Sequence, residues 1–132
     1  VDRLGVERTK ERGYVFRSMA ESGALIMNGT DPPVEEISPI ASFHCSVTRE
    51  LPDGNIFQPE QRLTREQALR SYTINNAFAA FEEDLKGSIT PGKLADITVL
   101  SKDIMTVPED EIVEAEIVYT IIGGEVLYKW TR

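Results

Sequence analysis

Ser22-Gly23-Ala24-Leu25-Ile26-Met27-Asn28-Gly29-Thr30-Asp31-Pro32-Pro33 is the stretch on which the reading of this chain turns. Ala24 to Met27 is a short, continuous apolar run, the pattern of a strand buried on both faces of a parallel sheet. Gly23 before it is the residue type that ends a helix. Residues 1–22 carry Leu4, Val15, Phe16 and Met19 among many charges, which predicts one or two short amphipathic helices. Helix, glycine, buried strand is the rhythm of an α/β unit. The run then gives way to turn-forming residues around one carboxylate, and two prolines stiffen the chain beyond it. Pro32 biases Asp31 toward extended backbone, because its ring clashes with a preceding residue in the α region. Asp31 is therefore expected on a rigid loop just past the C-terminal end of the strand, where α/β active sites gather. An Asp in a Gly-Thr-Asp-Pro turn also fits a plain turn-former that bonds local backbone amides. One carboxylate does not make a catalytic metal site, since three or more protein ligands are usual. If Asp31 is a ligand, the others lie outside this chain.

Working outward, Ile37 through Val47 reads as a helix entered at Ser38-Pro39, with Ser38 as N-cap and Pro39 at the first helical position. Glu50 to Arg62 holds Pro52, Asp53-Gly54, Asn55 and Pro59, and reads as a surface excursion. Thr64 with Gln67 three residues on forms a capping-box pattern. Ala68, Leu69 and Tyr72 then recur on one helical face. Ala77, Ala80 and Phe81 continue the apolar character after an interruption at Asn75-Asn76, so two helical pieces or one irregular helix are expected. After Lys86 the period changes. Pro91-Gly92 is the pair that a type II turn wants at its centre, and Ile97-Thr98-Val99-Leu100 reads as a strand. A short acidic helix is expected around Glu109 to Val113. Ile117 to Ile122 and Glu125 to Tyr128 are β-rich runs joined by Gly123-Gly124, a two-residue hairpin signal.

The 132 residues exclude an autonomous (β/α)₈ barrel, which needs about 250. Hydrophobic residues at 41% and charged residues at 27% describe neither a disordered tract nor a membrane protein. Fourteen Lys+Arg against 22 Asp+Glu, a net charge of -8, disfavour nucleic acid and anionic membrane surfaces as partners. The single cysteine, Cys45, excludes an intrachain disulfide framework, suits a reducing compartment, and reads as a buried small hydrophobe. There is one histidine, His44, and although Cys45 adjoins it, neighbours on a helix do not face each other, so a Cys-His catalytic pair is disfavoured. No run approaches a spanning helix and no signal-peptide core is present. The start at Val1, within a charged helical stretch, hints at a segment of a longer protein.

Three stretches together resemble a known family. They are Met27-Asn28-Gly29-Thr30-Asp31-Pro32-Pro33-Val34-Glu35, Leu63-Thr64-Arg65-Glu66-Gln67-Ala68-Leu69-Arg70-Ser71-Tyr72-Thr73-Ile74-Asn75, and Lys86-Gly87-Ser88-Ile89-Thr90-Pro91-Gly92-Lys93-Leu94-Ala95-Asp96-Ile97-Thr98-Val99-Leu100. They are similar to the C-terminal third of the amidohydrolase superfamily, in the branch of long amidohydrolases resembling N-substituted formamide deformylases. The similarity extends to Val47-Thr48-Arg49 and to Ile122-Gly123-Gly124-Glu125-Val126.

The resemblance implies a fold class: α/β, the C-terminal fragment of a distorted (β/α)₈ barrel followed by part of a small β-sandwich. Residues 1–86 would hold the last barrel strand, Ala24 to Asn28, with its helices, and residues 87–132 the sandwich share. It implies a metal-dependent hydrolase of non-peptide C–N bonds, with Asp31 as metal-site aspartate and proton shuttle. Thr30 stands where serine is common in the family. The family's histidines, a His-x-His pair on the first strand and single ones on two middle strands, have no counterpart here, and His44 matches no ligand position. One or two divalent ions, zinc being the commonest, are implied for the complete enzyme, and none tightly bound by this chain alone. Its partners would be a small amide-type substrate and the missing N-terminal portion of the same protein, with a homo-oligomer allowed, in the cytoplasm. Asp96 reads as structural, bonding a turn at the sandwich entry, and Arg49 as an ion-pair residue without an assigned role. The alternative is a non-catalytic β-rich interaction module that kept the family's tail.

Overall fold

The computed structural model describes residues 3–131. Five short helices occupy the first two thirds, α1 (Val6–Arg12), α2 (Phe16–Glu21), α3 (Pro39–Thr48), α4 (Arg65–Tyr72) and α5 (Ile74–Ala79). Three strands come after them, β1 (Ile97–Leu100), β2 (Ile117–Ile122) and β3 (Glu125–Lys129), with 3₁₀ turns at Pro59–Gln61 and Glu109–Glu114. The sheet order is β1-β2-β3 and both pairings are antiparallel.

Several local signals give the structures their chemistry demands. Gly23, with φ 90°, lies just past the C-cap of α2. Its N–H donates to Ala20 O and the Ala24 N–H to Met19 O, the paired bonds of a Schellman ending. The capping box forms as expected: the Gln67 N–H donates to Thr64 Oγ1 at 3.1 Å, and Gln67 Oε1 accepts from the Thr64 N–H at 2.9 Å. Thr64→Ala is expected to cost about 1 kcal/mol, read as a shift of the urea midpoint at unchanged m-value. Gly92 has φ 94° and the Lys93 N–H donates to Thr90 O, as a type II turn across Pro91-Gly92 requires. Gly123 and Gly124 both have positive φ and join Ile122 to its partner Glu125, so β2 and β3 form the expected hairpin.

Other expectations change. Ala24 to Met27 forms no strand, and Leu25 and Met27 are about half exposed. An apolar run becomes a buried strand only when neighbouring strands cover it, and the sheet present here is a separate antiparallel one. Ser38 is the N-cap of α3 with Pro39 at its first position, yet the Ser38 side chain makes no capping bond. The helical break falls at Thr73, with φ -123° and ψ -99°, while Asn75 and Asn76 lie inside α5. On α4 the fully buried positions are Ala68 and Ser71, while Leu69 is exposed. Phe81 does not join the core. It takes the left-handed position after α5 and is 91% exposed. The acidic helix is a 3₁₀ helix, Glu109–Glu114. Cys45 is half-buried rather than buried.

The core joins the helices to the region beyond residue 87. Phe43 and Val47 from α3, Leu63 and Ala68 near and on α4, and Ile104, Ile112 and Ala115 form one buried cluster. The Arg65 guanidinium ties the same parts together by donating to Ile104 O and Val107 O at 2.8 and 2.6 Å. By contrast β3 is exposed along its whole length, with Val126, Leu127 and Tyr128 uncovered.

Candidate metal-site loop

Asp31 sits at the end of an extended segment held against the helices. The Asn28 N–H donates to Ser71 O at 3.0 Å, and Asn28 Nδ2 donates to Ser46 Oγ on α3 at 3.0 Å. From α5, Asn75 Nδ2 donates to Ile26 O at 2.8 Å and Asn76 Nδ2 to Asn28 O at 2.9 Å. Past this grip the chain turns sharply. The Val34 N–H donates to Asp31 O at 2.8 Å, and the Glu35 N–H to Thr30 O at 3.3 Å. Asp31 itself has φ 46°, not the extended geometry that Pro32 favours. Aspartate is one of the few residue types that tolerates the left-handed region, and the turn bonds on either side hold it there. The residue is exposed, and its carboxylate has no hydrogen-bond or ion-pair partner among the described residues.

The other candidates stand elsewhere. His44, on α3, approaches Glu50 with Nε2 to Oε2 at 4.0 Å. Among the described residues no group of three or more His, Cys, Asp and Glu could hold a metal. An exposed, unpartnered carboxylate fits a divalent ion as one oxygen donor, and a complete catalytic set needs more. Asp96 has a structural bond, though not to a turn at its own end of the sheet: its Oδ1 accepts from the Gly123 N–H at 2.8 Å and braces the β2–β3 turn 27 residues on.

Arg49 departs from its expected ion-pair role. It is only 5% exposed and takes the left-handed position that ends α3, with φ 63°. Its Nε donates to Phe57 O at 3.0 Å. The guanidinium carbon lies 5.6 and 5.5 Å from the ring centroids of Phe16 and Phe57, within cation–π range. Burial lowers its pKa from the ordinary arginine value, with Cys45, Glu60 and Tyr14 opposing, and arginine nevertheless stays charged. Arg49 thus pins α2 and the 50–62 excursion to α3. Asn75 and Asn76 are the site residues that periodicity missed. Asparagine is a weak interior helix former, and two in succession inside a helical pattern were the available signal.

The class of protein follows from comparison with known families. Residues 1–128 match the amidohydrolase family model, and the chain belongs to that family. It is 38% identical over 130 residues to the protein LONG AFTER FAR-RED 3 of Arabidopsis thaliana, covering 96% of this chain and 22% of that protein. It is 33% identical to an N-substituted formamide deformylase of Arthrobacter pascens, covering 89% of this chain and 22% of the deformylase. It is 29% identical to the putative amidohydrolase YtcJ of Bacillus subtilis, covering 98% and 25%. The chain therefore spans about a quarter of the length of the curated relatives it matches. In fold it is similar to the crystal structure of an amidohydrolase from Thermotoga maritima, with a TM-score of 0.68 at 21% identity, over 89% of this chain and 26% of that one. No described helix is long and apolar enough to cross a membrane.

Proposed function

We propose that this chain is the C-terminal segment of a metal-dependent hydrolase that cleaves a non-peptide, amide-type C–N bond, with Asp31 as its metal-site aspartate and proton shuttle. The observation that carries this reading is the exposed, unpartnered Asp31 carboxylate on a braced turn at the end of the segment Ala24 to Asn28. In this reading that segment, no strand among the described residues, becomes the last barrel strand once neighbouring strands of the complete protein cover it, residues 1–86 belong to the barrel, and residues 87–132 are a share of the β-sandwich. The uncovered apolar residues of β3 support a sandwich completed by chain from outside these residues.

A divalent metal, when bound, supplies a water that is acidic near neutral pH. Asp31 would hold such an ion through one carboxylate oxygen. The same residue would accept the proton of the attacking water and later deliver it to the leaving nitrogen. The turn bonds around Thr30 and Asp31 hold the backbone that carries the carboxylate, which favours proton transfer without loop rearrangement. The zinc, the small amide-type substrate and the remaining ligands belong to the complete enzyme.

The test uses the full-length protein. Produced with zinc, it is expected to release formate and amine from an N-substituted formamide, to lose that activity on chelation, and to regain it when zinc is returned. A folded full-length protein that binds no divalent metal and hydrolyses no amide or formamide would instead be the non-catalytic interaction module.

A further inference from the structure

The segment that leads to Asp31 is gripped along one edge. In extended chain the N–H and C=O of one residue, and the C=O two residues away, lie along the same edge. Ile26 O, Asn28 N–H and Asn28 O are those three groups. All three are engaged, by Asn75 Nδ2, Ser71 O and Asn76 Nδ2 in turn. Two adjacent side-chain amides of α5 therefore do for this segment what a neighbouring strand would do. Asn75 is buried at 8% exposure. Asn28 is the last residue held this way, and its own side chain is spent as well, Nδ2 on Ser46 and Oδ1 on the Gly29 N–H. The loop leaves from this fixed point, and Asp31 comes three residues later.

We propose that Asn75 and Asn76 are positioning residues for Asp31, their side-chain amides holding alternate carbonyls of the preceding segment and so setting the point from which the Asp31 loop departs. The catalytic consequence rests on the proton-shuttle reading above, whereas the anchoring itself does not. Without the Asn76 amide, Asn28 O loses its partner, and the loop departs from a residue held only through its N–H and its side chain. A carboxylate displaced by about 1 Å loses most of its proton-transfer advantage. Because Asp31 acts on a proton and not on the groups that bind substrate, the loss falls on kcat.

The experiment compares the zinc-loaded, full-length protein with its Asn76→Ala and Asn76→Asp variants. Asn76→Asp keeps the shape and removes the donor. Two readouts are taken: hydrogen exchange of residues 28–35, and the kinetics of N-substituted formamide hydrolysis. Exchange in 28–35 is expected to rise about tenfold or more in both variants with α3 and α4 unchanged, and kcat to fall roughly 10–100-fold at a KM within about twofold. Asn75→Ala is expected to act in the same direction, and if its buried position prevents folding, the two Asn76 variants decide. Unchanged exchange in 28–35, or a rise spread evenly over the protein, overturns the anchoring. A local rise with kcat intact overturns the positioning role. If the wild-type protein hydrolyses nothing while exchange rises locally, the anchoring stands and the hydrolase reading alone fails.

Discussion

Asp31→Asn in the full-length protein is expected to lower kcat by about 10²–10⁴-fold, the usual range for a lost acid–base group, while leaving the fold intact. Both halves of that expectation come from the same geometry. The carboxylate has no partner among the described residues, and the residue is exposed, so nothing in the core depends on its charge. The turn is closed by backbone atoms, Val34 N–H to Asp31 O and Glu35 N–H to Thr30 O. Asparagine tolerates the left-handed φ of 46° found at this position as readily as aspartate does. What the amide cannot do is accept and return a proton near neutral pH. Steady-state kinetics and a thermal melt of the two proteins check this, with Tm expected to move by no more than about 2 °C. Near-normal kcat in the variant would remove Asp31 from the mechanism.

Gly87→Ala is expected to destabilise the fold strongly. Gly87 has φ 89°, and a Cβ there would lie 2.8 Å from Ala77 Cβ and 2.9 Å from Ile74 Cα. Neither atom is the far end of a flexible side chain, so α5 or the 86–88 connection has to move. The left-handed backbone alone costs an L-residue roughly 1–2 kcal/mol, and forced overpacking adds about 1–3 kcal/mol. The total is a large fraction of a typical stability of about 5–15 kcal/mol. Gly54→Ala supplies the control, because Gly54 has φ 79° with open space around its would-be Cβ. It is expected to lose the backbone contribution only. Urea unfolding of both variants measures the difference, and a Gly87 variant no less stable than the Gly54 variant would show that α5 does not press on this glycine.

The two predictions differ in how far ahead of the structure they stand. Asp31 was legible as a candidate because residue type, the preceding apolar run and the adjoining prolines all lie within ten positions of one another. Its left-handed backbone was not, because the prolines argued for the extended region and the bonds that overrule them span the turn. The close contact at Gly87 had no local signal at all, since Ile74 and Ala77 reach it through the return of the chain after α5. Arg49 is a similar case. Its charge suggested a carboxylate partner, and folding instead brought Phe16 and Phe57 within cation–π range, residues 33 positions before it and 8 after it.

Capping box, Schellman glycine, type II turn and glycine hairpin could all be read directly, because each is settled by bonds within a few residues and by the φ values that glycine and proline allow. The family could be read as well, from the run Lys86 to Leu100 and the loop around Asp31. Whether Ala24 to Asn28 becomes a strand could not, for a strand exists only with its partners, and the long-range backbone partners of this segment among the described residues are two asparagine side chains and one backbone carbonyl. Those bonds connect residues 43 to 49 positions apart. Bonds of that span leave no period and no spacing in the amino-acid order, so the grip on the Asp31 loop, unlike the loop itself, is visible only once the chain has folded.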